Sequence, residues 1–345
     1  MDYYAGIDVS LKQSSVCVVD GGGKIVLEAK AASEPAALSA LFGDLGFPLT
    51  RIGLEAGPLS QWLHEGLEAS GYDVVLMETR QIKAALSAMP VKTDRNDARG
   101  IAQMLRMGWF RSVHRKSLPA QEARALLLAR KQLLSKQIDL ELCIRGLLRG
   151  FGLKVGATTK PKFSARIREL VAGQETLEAA VAPLLRCRDV LRLELTQLHR
   201  KILALVRIDS VCRRLMTMPG VGAITALTFT SGVDDPARFR SSRTVGAHFG
   251  LTPRRYQSGE TDIVGHITKA GDGGVRSALY EAAMVLLTRT KRMSTLKAWG
   301  VRVARRRGMK RAIVAVARKM SMVLHRMWIN ETEFRWGKEP APQPA

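Results

Sequence analysis

Two aspartates, Asp94 and Asp97, stand three residues apart in the segment VKTDRNDARG, among lysine and arginine side chains. Residues three apart share one face of a helix, so the two carboxylates could hold a divalent cation between them. The pair could instead begin a helix, because carboxylates in a first turn satisfy free amide groups and favour the helix dipole. A metal site requires further carboxylates from elsewhere in the chain, so both interpretations stay open for the pair alone.

Two upstream carboxylates could meet that requirement. Asp8 lies in GIDVS at the end of a strand-like run, and Glu55 lies in IGLEAG, where Gly57 and Pro58 break a later strand. Neighbouring strand ends in an α/β sheet project their side chains into one crevice. Asp8 alone could cap a turn, and Glu55 alone could be a surface acid. Brought together with the aspartate pair, they would repel one another unless cations neutralised them.

The four acids Asp8, Glu55, Asp94 and Asp97 are called the acidic quartet below. Two Mg²⁺ ions about 4 Å apart would neutralise the quartet and would clamp the attacking and leaving oxygens of a phosphodiester. The four acids together are therefore candidate ligands and catalytic residues of a site for two magnesium ions, although each alone has an ordinary structural explanation.

A further candidate for chemistry is Ser258, in the segment HFGLTPRRYQSGETDIVGHITKAGDGGVRSAL. We expect a polar, glycine-containing loop here, and the four cations around it are candidates for nucleic-acid contacts: Arg254, Arg255, Lys269 and Arg276. Neighbouring cations or a metal can favour the alkoxide of a serine and stabilise a pentavalent phosphate. Ser-Gly is also a common turn dipeptide, so chemistry alone favours a turn serine that is not a nucleophile.

Two other segments suggest contacts with nucleic acid. LMTMPGVGAITALTF, residues 215–229, places Gly220 and Gly222 between two apolar helical runs, as in a helix-hairpin-helix whose glycines let backbone amides approach a phosphate. An ordinary glycine-rich helix connection would have the same pattern. Residues 289–320 are dense in arginine and lysine with apolar residues between them, which predicts a surface that tracks phosphates or a solvated helix face.

The elements that must position the quartet follow an α/β order. Three β-favouring runs open the chain, and helical and strand-like segments then alternate up to DVVLMET. Beyond them, Leu and Ile recur at helical spacing from about Gln121 to Gly152 and from Leu177 to Arg207, which predicts two long helices in a hairpin or coiled coil. The basic stretch GLKVGATTKPKFSAR between them is typical of a linker or a loop that contacts nucleic acid.

These segments predict an α/β N-terminal domain, a helical linker and a mainly α C-terminal domain with a helix-hairpin-helix. The expected boundaries are 1–115 for the catalytic domain, 116–208 for the coiled-coil linker, 209–330 for the domain with the serine, and 331–345 for a disordered, proline-rich tail.

Composition favours a polyanionic partner. The chain has 54 Lys and Arg against 31 Asp and Glu, a formal net charge of +23, although residues 1–80 alone carry −6. Four widely separated cysteines predict reduced, buried thiols, with no disulfide framework or zinc site. The start MDYYAGIDVS lacks the features of a signal peptide and no apolar run is long enough to span a bilayer, so we expect a cytoplasmic protein without membrane partners.

The arrangement of the acids resembles a known fold. A strand meander carrying Asp8, a fourth strand carrying Glu55 and a helix carrying the aspartate pair resemble the ribonuclease H-like fold of RuvC-type nucleases. Seven segments, in order, are similar to motifs of the DEDD transposases of insertion sequences: GIDVS, GLEAGP, KTDRNDA, MPGVGAITALTF, SSRTVGAHFGLTPRRYQSGE, GHITKAGD and KRAIVAVARKM. That family includes the Piv DNA invertase and the RNA-guided bridge recombinases, and the resemblance extends to about residue 330.

The resemblance implies a recombinase that cuts and rejoins target and donor DNA. It implies that the quartet binds metal and that Ser258 becomes joined to a DNA 5′-phosphate. A structured noncoding RNA would guide the reaction, and a homo-oligomer, from dimer to tetramer, would share active sites between subunits. Two alternatives remain. One is a metal-dependent nuclease of the junction-resolvase type with Ser258 structural, and the other is a nucleic-acid-binding protein without catalysis.

Overall fold

The computed structural model describes residues 1–337, and the chain folds into two compact units, Met1–Lys116 and Ser117–Ala345. The elements of the first unit are β1 (Tyr3–Asp8), β2 (Gln13–Asp20), β3 (Ile25–Ala32), α1 (Pro35–Gly43), β4 (Arg51–Glu55), α2 (Ser60–Ala69), β5 (Val74–Met77), α3 (Thr79–Leu86) and α4 (Asp94–Arg106). Those of the second unit are α5 (Leu118–Arg149), α6 (Phe163–Val171), α7 (Glu175–Ile208), α8 (Ser210–Leu215), α9 (Ala223–Val233), α10 (Ser242–His248), β6 (Pro253–Ser258), β7 (Thr261–Ile267), α11 (Gly273–Thr288), α12 (Thr295–Arg307) and α13 (Met309–Ile329).

The first unit is built on a five-stranded sheet in the order β3-β2-β1-β4-β5. β1, β2 and β3 form an antiparallel meander, while β4 and β5 extend it in parallel from β1. A meander followed by parallel strands with intervening helices is the layout that the sequence predicted, and it is the ribonuclease H-like topology. The fold expected for the N-terminal domain is therefore confirmed.

Alternation along β2 shows why helices cover both faces of the sheet. Val16 and Val18 face a core that contains residues of α1 and α2, whereas Cys17 and Val19 face Ala98 and other small residues of α4. Successive side chains of a strand point to opposite faces, so a run that is apolar at every position is buried on both sides. The opposite face of the sheet is covered by α4, and Ile82 of α3 also packs there against Met77 and Ile101.

The second unit contains the two long helices that the sequence predicted. α5 and α7 form an antiparallel hairpin, in which the buried Arg188 of α7 binds Glu141 of α5 at 2.8 Å. The expected linker between the long helices is only partly a loop. The FSAR segment begins α6, because Phe163 and Ile167 pack into the apolar core at the tip of the hairpin.

The C-terminal part of this unit is mainly helical, as predicted, with one exception. β6 and β7 form an antiparallel hairpin in the segment that we expected to be a polar loop. A two-residue turn at Gly259, with φ of 55°, joins the strands, and β-branched residues such as Thr261 and Ile263 favour the extended backbone. Side chains along both strands are almost all exposed.

Residues 331–337 were expected to belong to a disordered tail but instead pack against the second unit. Phe334 is 9% exposed and its amide donates to Thr217 Oγ1 at 3.0 Å, while Trp336 lies edge-on to Phe334. The two aromatic rings supply the apolar surface for this packing. The proline-rich composition of the tail as a whole did not indicate it. Residues 338–345, the rest of the expected tail, lie outside the described residues.

The cysteines also differ partly from expectation. Cys17 and Cys212 are buried free thiols, whereas Cys143 and Cys187 are exposed on the long helices. Their helical positions face away from the hairpin core, which a count of cysteines does not reveal. Within residues 1–337, no helix combines the length and apolar character needed to cross a bilayer.

Candidate active site

Asp8 and Glu55 end two adjacent strands of the sheet. β1 and β4 run parallel with Ile7 opposite Leu54, so the next residue on each strand, Asp8 and Glu55, lies at the same edge. Both acids are half-buried. The carboxyl ends of parallel strands form the crevice in which α/β proteins place ligands. The structure therefore brings these two predicted residues together.

Asp94 and Asp97 both lie in the first turn of α4, but neither is its N-cap. The cap is Thr93, whose Oγ1 accepts a hydrogen bond from the amide of Asn96 at 3.2 Å. Asp94 is exposed and Asp97 is half-buried. Capping by the Asp94 side chain, the ordinary explanation of this pair, is therefore not what the structure shows, although both carboxylates still lie favourably in the helix dipole.

Glycines in β1 and β4 allow α4 to lie close to the sheet. A Cβ built on Gly6 would stand 2.9 Å from the Cα of Ala102 and closer still to backbone atoms of Ala98 and Ala102. A Cβ on Gly53 would meet Met77 Sδ at 2.9 Å and Leu105 Cδ2 at 3.2 Å. Larger residues at these two positions would push α4, and with it the DxxD turn, away from the sheet.

The spacing of these glycines relative to the acids is informative. Gly6 precedes Asp8 by two residues and Gly53 precedes Glu55 by two, and residues two apart in a strand face the same side. The face that must be bare to receive α4 is thus also the face that carries the acids. Sequence analysis missed these two positioning residues, although the repeated Gly-x-acid pattern at the two strand ends was a usable signal.

The acids of the quartet act on one another electrostatically. The pKa of Asp8 is raised from 3.8 to about 6, first because the carboxyl is partly buried and then because Asp97, Asp94 and Glu55 are close enough to repel its charge. Lys92 opposes this shift. All four predicted acids therefore contribute to one region of negative potential at the end of the sheet.

The donor set of this region suits a hard divalent cation. Carboxylate oxygens are the ligands that Mg²⁺ prefers, and a bound cation would remove the repulsion that raises the pKa of Asp8. In the described part of the chain, no three acidic, histidine or cysteine side chains already converge into a closed metal site. The carboxylate oxygens of the quartet and their combined negative potential thus fit a divalent metal ion. Rotation of the side chains must complete the coordination.

Two arginines of the DxxD segment anchor α4 to the sheet. Arg95 Nε donates to Glu28 Oε2 at 2.8 Å, and Arg99 Nη2 donates to the same oxygen at 2.9 Å. Hydrogen bonds from Arg99 and Arg95 lower the pKa of Glu28, on β3, to about 2. These cations therefore hold the helix that carries Asp94 and Asp97, a role that sequence analysis did not assign.

Ser258 lies in the second unit, at the end of β6. It pairs with Thr261 across the tight turn and its side chain is exposed. Among residues 1–337, no hydrogen bond is formed by the Ser258 hydroxyl. Beside it, Arg255 binds Asp262 through two hydrogen bonds of 2.7 and 2.8 Å, and Arg254 Nη2 lies 3.5 Å from the carbonyl of Thr268.

The other two candidate cations lie at the base of this β hairpin. Arg276 is partly buried, and its Nη1 donates to the carbonyls of Phe249 at 3.1 Å and Ala270 at 2.9 Å. Lys269 has a φ of 54°, and its amide donates to the carbonyl of Gly250 at 3.2 Å. Both residues thus help to fix the base of the hairpin, whatever contacts they make with nucleic acid.

The predicted glycine loop joins α8 and α9. Gly220 has a φ of 89°, and a Cβ there would lie 3.2 Å from the carbonyl carbon of Ala282 on α11 and closer to its oxygen. Intramolecular packing thus explains this glycine. Gly222 is the N-cap residue of α9, and nothing lies within 4 Å of its Cβ position. A helix, a glycine loop and a second helix are present, and phosphate binding by the loop stays a prediction.

Comparison with known proteins finds that segments of both units match transposases. A family of DEDD transposases of the IS110 type, described as transposase, matches residues 5–152, and the family described as transposase IS116/IS110/IS902 matches residues 212–298. The chain is 28% identical to the transposase for insertion sequence element IS1111A of Coxiella burnetii, over 96% of this chain and 91% of that protein. It is 28% identical to a probable family 20 transposase of Pseudomonas aeruginosa, over 84% and 87% of the two chains.

A solved structure of Thermus thermophilus RuvC with a Holliday junction substrate is 14% identical to this chain. It aligns with 33% of this chain and 100% of its own at a TM-score of 0.27. That score is low, and the ribonuclease H-like fold is assigned from the strand order.

Proposed function

Because the chain belongs to the IS116/IS110/IS902 family of transposases, which are DNA-cutting phosphoryl-transfer enzymes, we propose that the acidic quartet binds the Mg²⁺ ions used in that reaction. The observation that carries the proposal is the placement of Asp8 and Glu55 at adjacent strand ends, near enough to Asp94 and Asp97 that, after burial, the other three acids raise the pKa of Asp8. Four acids that share one field at the end of a sheet are costly to keep without a cation. The strand ends hold two of them and the first turn of α4 holds the others.

Two bound Mg²⁺ ions would supply positive charge next to the oxygens on which charge develops during phosphoryl transfer. The protein fixes where that charge lies. Close packing of α4 on Gly6 and the Glu28 contacts with Arg95 and Arg99 keep the DxxD turn beside the strand ends. The charge of Lys92 lowers the pKa of Asp8, and the same charge would attract a phosphate bound at the quartet.

We propose Ser258 as the nucleophile. Its Oγ attacks phosphorus, the bond from phosphorus to the 3′-oxygen breaks, and the DNA 5′-phosphate becomes joined to the serine. The serine hydroxyl loses its proton to solvent and the leaving 3′-oxygen takes one up, so one phosphoester bond replaces another. Attack by a 3′-hydroxyl on the phosphoserine rejoins a strand without an external energy source.

The exposure of Ser258 and its lack of local bonding support this role. A serine that shapes a turn bonds to nearby backbone, whereas the exposed hydroxyl of Ser258 makes no hydrogen bond to protein atoms within residues 1–337. This observation makes the alternative, a metal-dependent nuclease with a structural serine, the weaker candidate. The proposed division into residues 1–115, 116–208 and 209–330 would then separate the quartet, the long helices and the serine.

We also propose, from the family resemblance and the net charge of +23, that a structured noncoding RNA guides a homo-oligomer of this chain to target and donor DNA in the cytoplasm. Contacts from Gly220, Gly222, Arg254, Arg255, Lys269 and Arg276 belong to this proposal. Recombination by the purified complex should stop after ribonuclease treatment and return when the RNA is added back. Unchanged recombination after complete RNA removal would place DNA recognition in the protein.

Cleavage of labelled DNA by quartet variants tests the proposed metal site. Asp94→Asn and Asp97→Asn each remove one charge with little change of volume, so strand cleavage in Mg²⁺ should be lost while folding is kept. Thr93→Ala is the matched control, since it removes the true N-cap and should lower the free energy of unfolding by about 1 kcal/mol while cleavage continues. Wild-type cleavage rates in both Asn variants would exclude these residues from the metal site.

A further inference from the structure

A basic groove lies between α12, α13 and the segment that follows α13. Its volume is about 650 Å³. The residues that matter here are Trp299 and Arg302 of α12, Lys319 and Arg326 of α13, and Glu333. Arg302, Lys319 and Arg326 are exposed, whereas Trp299 is partly buried in the core of the second unit. The groove is thus an open channel with a packed aromatic floor.

Three cations of this groove have no acidic partner within residues 1–337. Among residues 1–337, Arg302, Lys319 and Arg326 form no ion pair, and Glu333 is the one acidic residue among those that line the groove. Most of the arginines elsewhere that bind a carboxylate hold two elements together, as Arg124 does with Asp272. Three cations left without such partners indicate a site for an anion from outside the chain.

Lys319 is held in place before any ligand arrives. Its Nζ lies 3.7 Å from the centre of the Trp299 ring, a cation–π contact. Burial and the nearby charge of Arg302 both lower the pKa of Lys319. The two like charges therefore repel each other at a fixed position, and an anion placed between them would relieve this repulsion.

The groove continues into a longer cationic surface. Exposed cations follow at the end of α12 and the start of α13, including Arg306, Lys310 and Arg311. Arg311 and Arg326 are fifteen residues apart on α13, about 22 Å along the helix axis, and lie on the same side of the helix. Phosphates of one DNA strand are spaced about 3.4 Å along the duplex, so this length corresponds to roughly seven base pairs.

We propose that this groove binds the phosphate backbone of duplex DNA, with Arg302, Lys319 and Arg326 as phosphate contacts and Trp299 as the residue that positions Lys319. The proposal rests on the DNA-cutting activity of the family, and it requires neither the quartet nor Ser258. An extended row of exposed cations fits contact with the phosphates of a duplex, which does not depend on sequence. The groove would hold DNA in register while cutting occurs elsewhere.

Binding to a labelled duplex in EDTA tests the proposal without cleavage. The variant with Arg302→Gln, Lys319→Gln and Arg326→Gln is compared with a control carrying Arg200→Gln, Lys201→Gln and Arg207→Gln, which removes the same charge from exposed positions of α7. We expect the groove variant to bind at least about tenfold more weakly, and its log–log salt slope to fall by about 2 to 3 relative to the control. Equal affinities and slopes in the two variants would overturn the proposal.

Amine footprinting of the unmodified protein gives a second readout that does not depend on how the variants fold. Duplex DNA should protect Lys319 from acetylation by severalfold, while Lys201 remains reactive. Protection of Lys319 by RNA but not by duplex DNA would contradict the assignment to DNA. Because the measurement is made without metal, a failure of the quartet or of Ser258 in cleavage assays would leave this result interpretable.

Discussion

Gly6 of β1 and Ala102 of α4 meet backbone to backbone, since a Cβ on Gly6 would stand 2.9 Å from the Cα of Ala102. This contact decides how closely the DxxD helix lies on the strand that ends in Asp8. Asp8 follows Gly6 by two positions in the strand, and Ala102 follows Asp94 by eight residues, about two turns of α4. The packing of two small residues thus positions carboxylates on two different elements.

Gly6→Ala should therefore impair both stability and cleavage. The added methyl group meets backbone atoms that cannot move aside, so the free energy of unfolding should fall by about 1–3 kcal/mol and metal-dependent cleavage should drop with it. Gly43→Ala is the control, because a Cβ at Gly43 meets nothing within 4 Å. Chemical denaturation and a cleavage assay give the two readouts. Equal behaviour of both variants would show that α4 is free to shift.

Glu28→Gln should weaken the anchor of α4 in a pH-dependent way. Hydrogen bonds from Arg99 and Arg95 lower the pKa of Glu28 from 4.5 to about 2 in the folded protein. A lowered folded-state pKa stabilises the protein above about pH 4.5, and this stabilisation is lost as pH falls towards 2. The Gln variant should therefore melt a few degrees below wild type at pH 7, and the difference should shrink below pH 4.5. A pH-independent difference would mean that shape rather than charge anchors the helix.

Much of the first unit was predictable because its signals are local. Strand-forming runs, the breaks after Asp8 and Glu55 and the DxxD pair all lie within short segments, and together they indicated the fold and the quartet. The contacts of Glu28 with Arg95 and Arg99 join residues about seventy positions apart. Sequence periodicity does not predict a contact between residues so far apart. The ion pairs are seen only in the three-dimensional arrangement of the sheet and α4.

Asp8→Asn should stabilise the protein when no divalent metal is bound. The raised pKa of Asp8 means that the folded state disfavours its charge, so wild type loses stability relative to the Asn variant as pH rises from about 4 to about 6. At pH 7.5 in EDTA the variant should be more stable by about 1–2 kcal/mol, after allowance for solvent screening.

Added Mg²⁺ should reverse that order, because it stabilises wild type through the quartet and has less to bind in Asp8→Asn. Thermal melts with and without Mg²⁺ measure both effects. Asp44→Asn, an exposed change at the end of α1, should follow wild type in each condition. If the melting temperature of wild type does not change on addition of millimolar Mg²⁺, the result would argue against a metal site.

The surroundings of Ser258 were harder to predict from sequence. Arginines and glycines around it indicated a loop, whereas Arg255 pairs with Asp262 across a β hairpin whose strands contact little else. The sequence pattern of a strand is weak when both faces of the strand are exposed, because neither face needs apolar residues at alternate positions. The exposed Tyr256, Ile263 and Val264 of this hairpin belong to the same region. Chemistry alone favoured a turn serine, and the prediction that Ser258 is a nucleophile rests on the family resemblance.

The family resemblance implies active sites shared between subunits, and such sharing predicts complementation. Asp94→Asn and Ser258→Ala should each be inactive alone, and mixed oligomers of the two should recover part of the activity, since an intact quartet and an intact serine then meet on different chains. Verified mixed oligomers without any recovered activity would indicate that each site is built within one chain. Ser258→Cys should keep only a trace of activity, because a thiolate can attack phosphorus but does so poorly.

Trapping the protein–DNA adduct tests the central claim most directly, namely that the quartet and Ser258 together make and break phosphodiester bonds. Labelled DNA is incubated with the RNA-bound protein in Mg²⁺ and resolved on a denaturing gel. Wild type should give a covalent adduct that maps to Ser258, while Ser258→Ala and Asp97→Asn should give none, although Ser258→Ala should fold normally because the hydroxyl is exposed. An adduct at the wild-type level in Ser258→Ala would contradict the account.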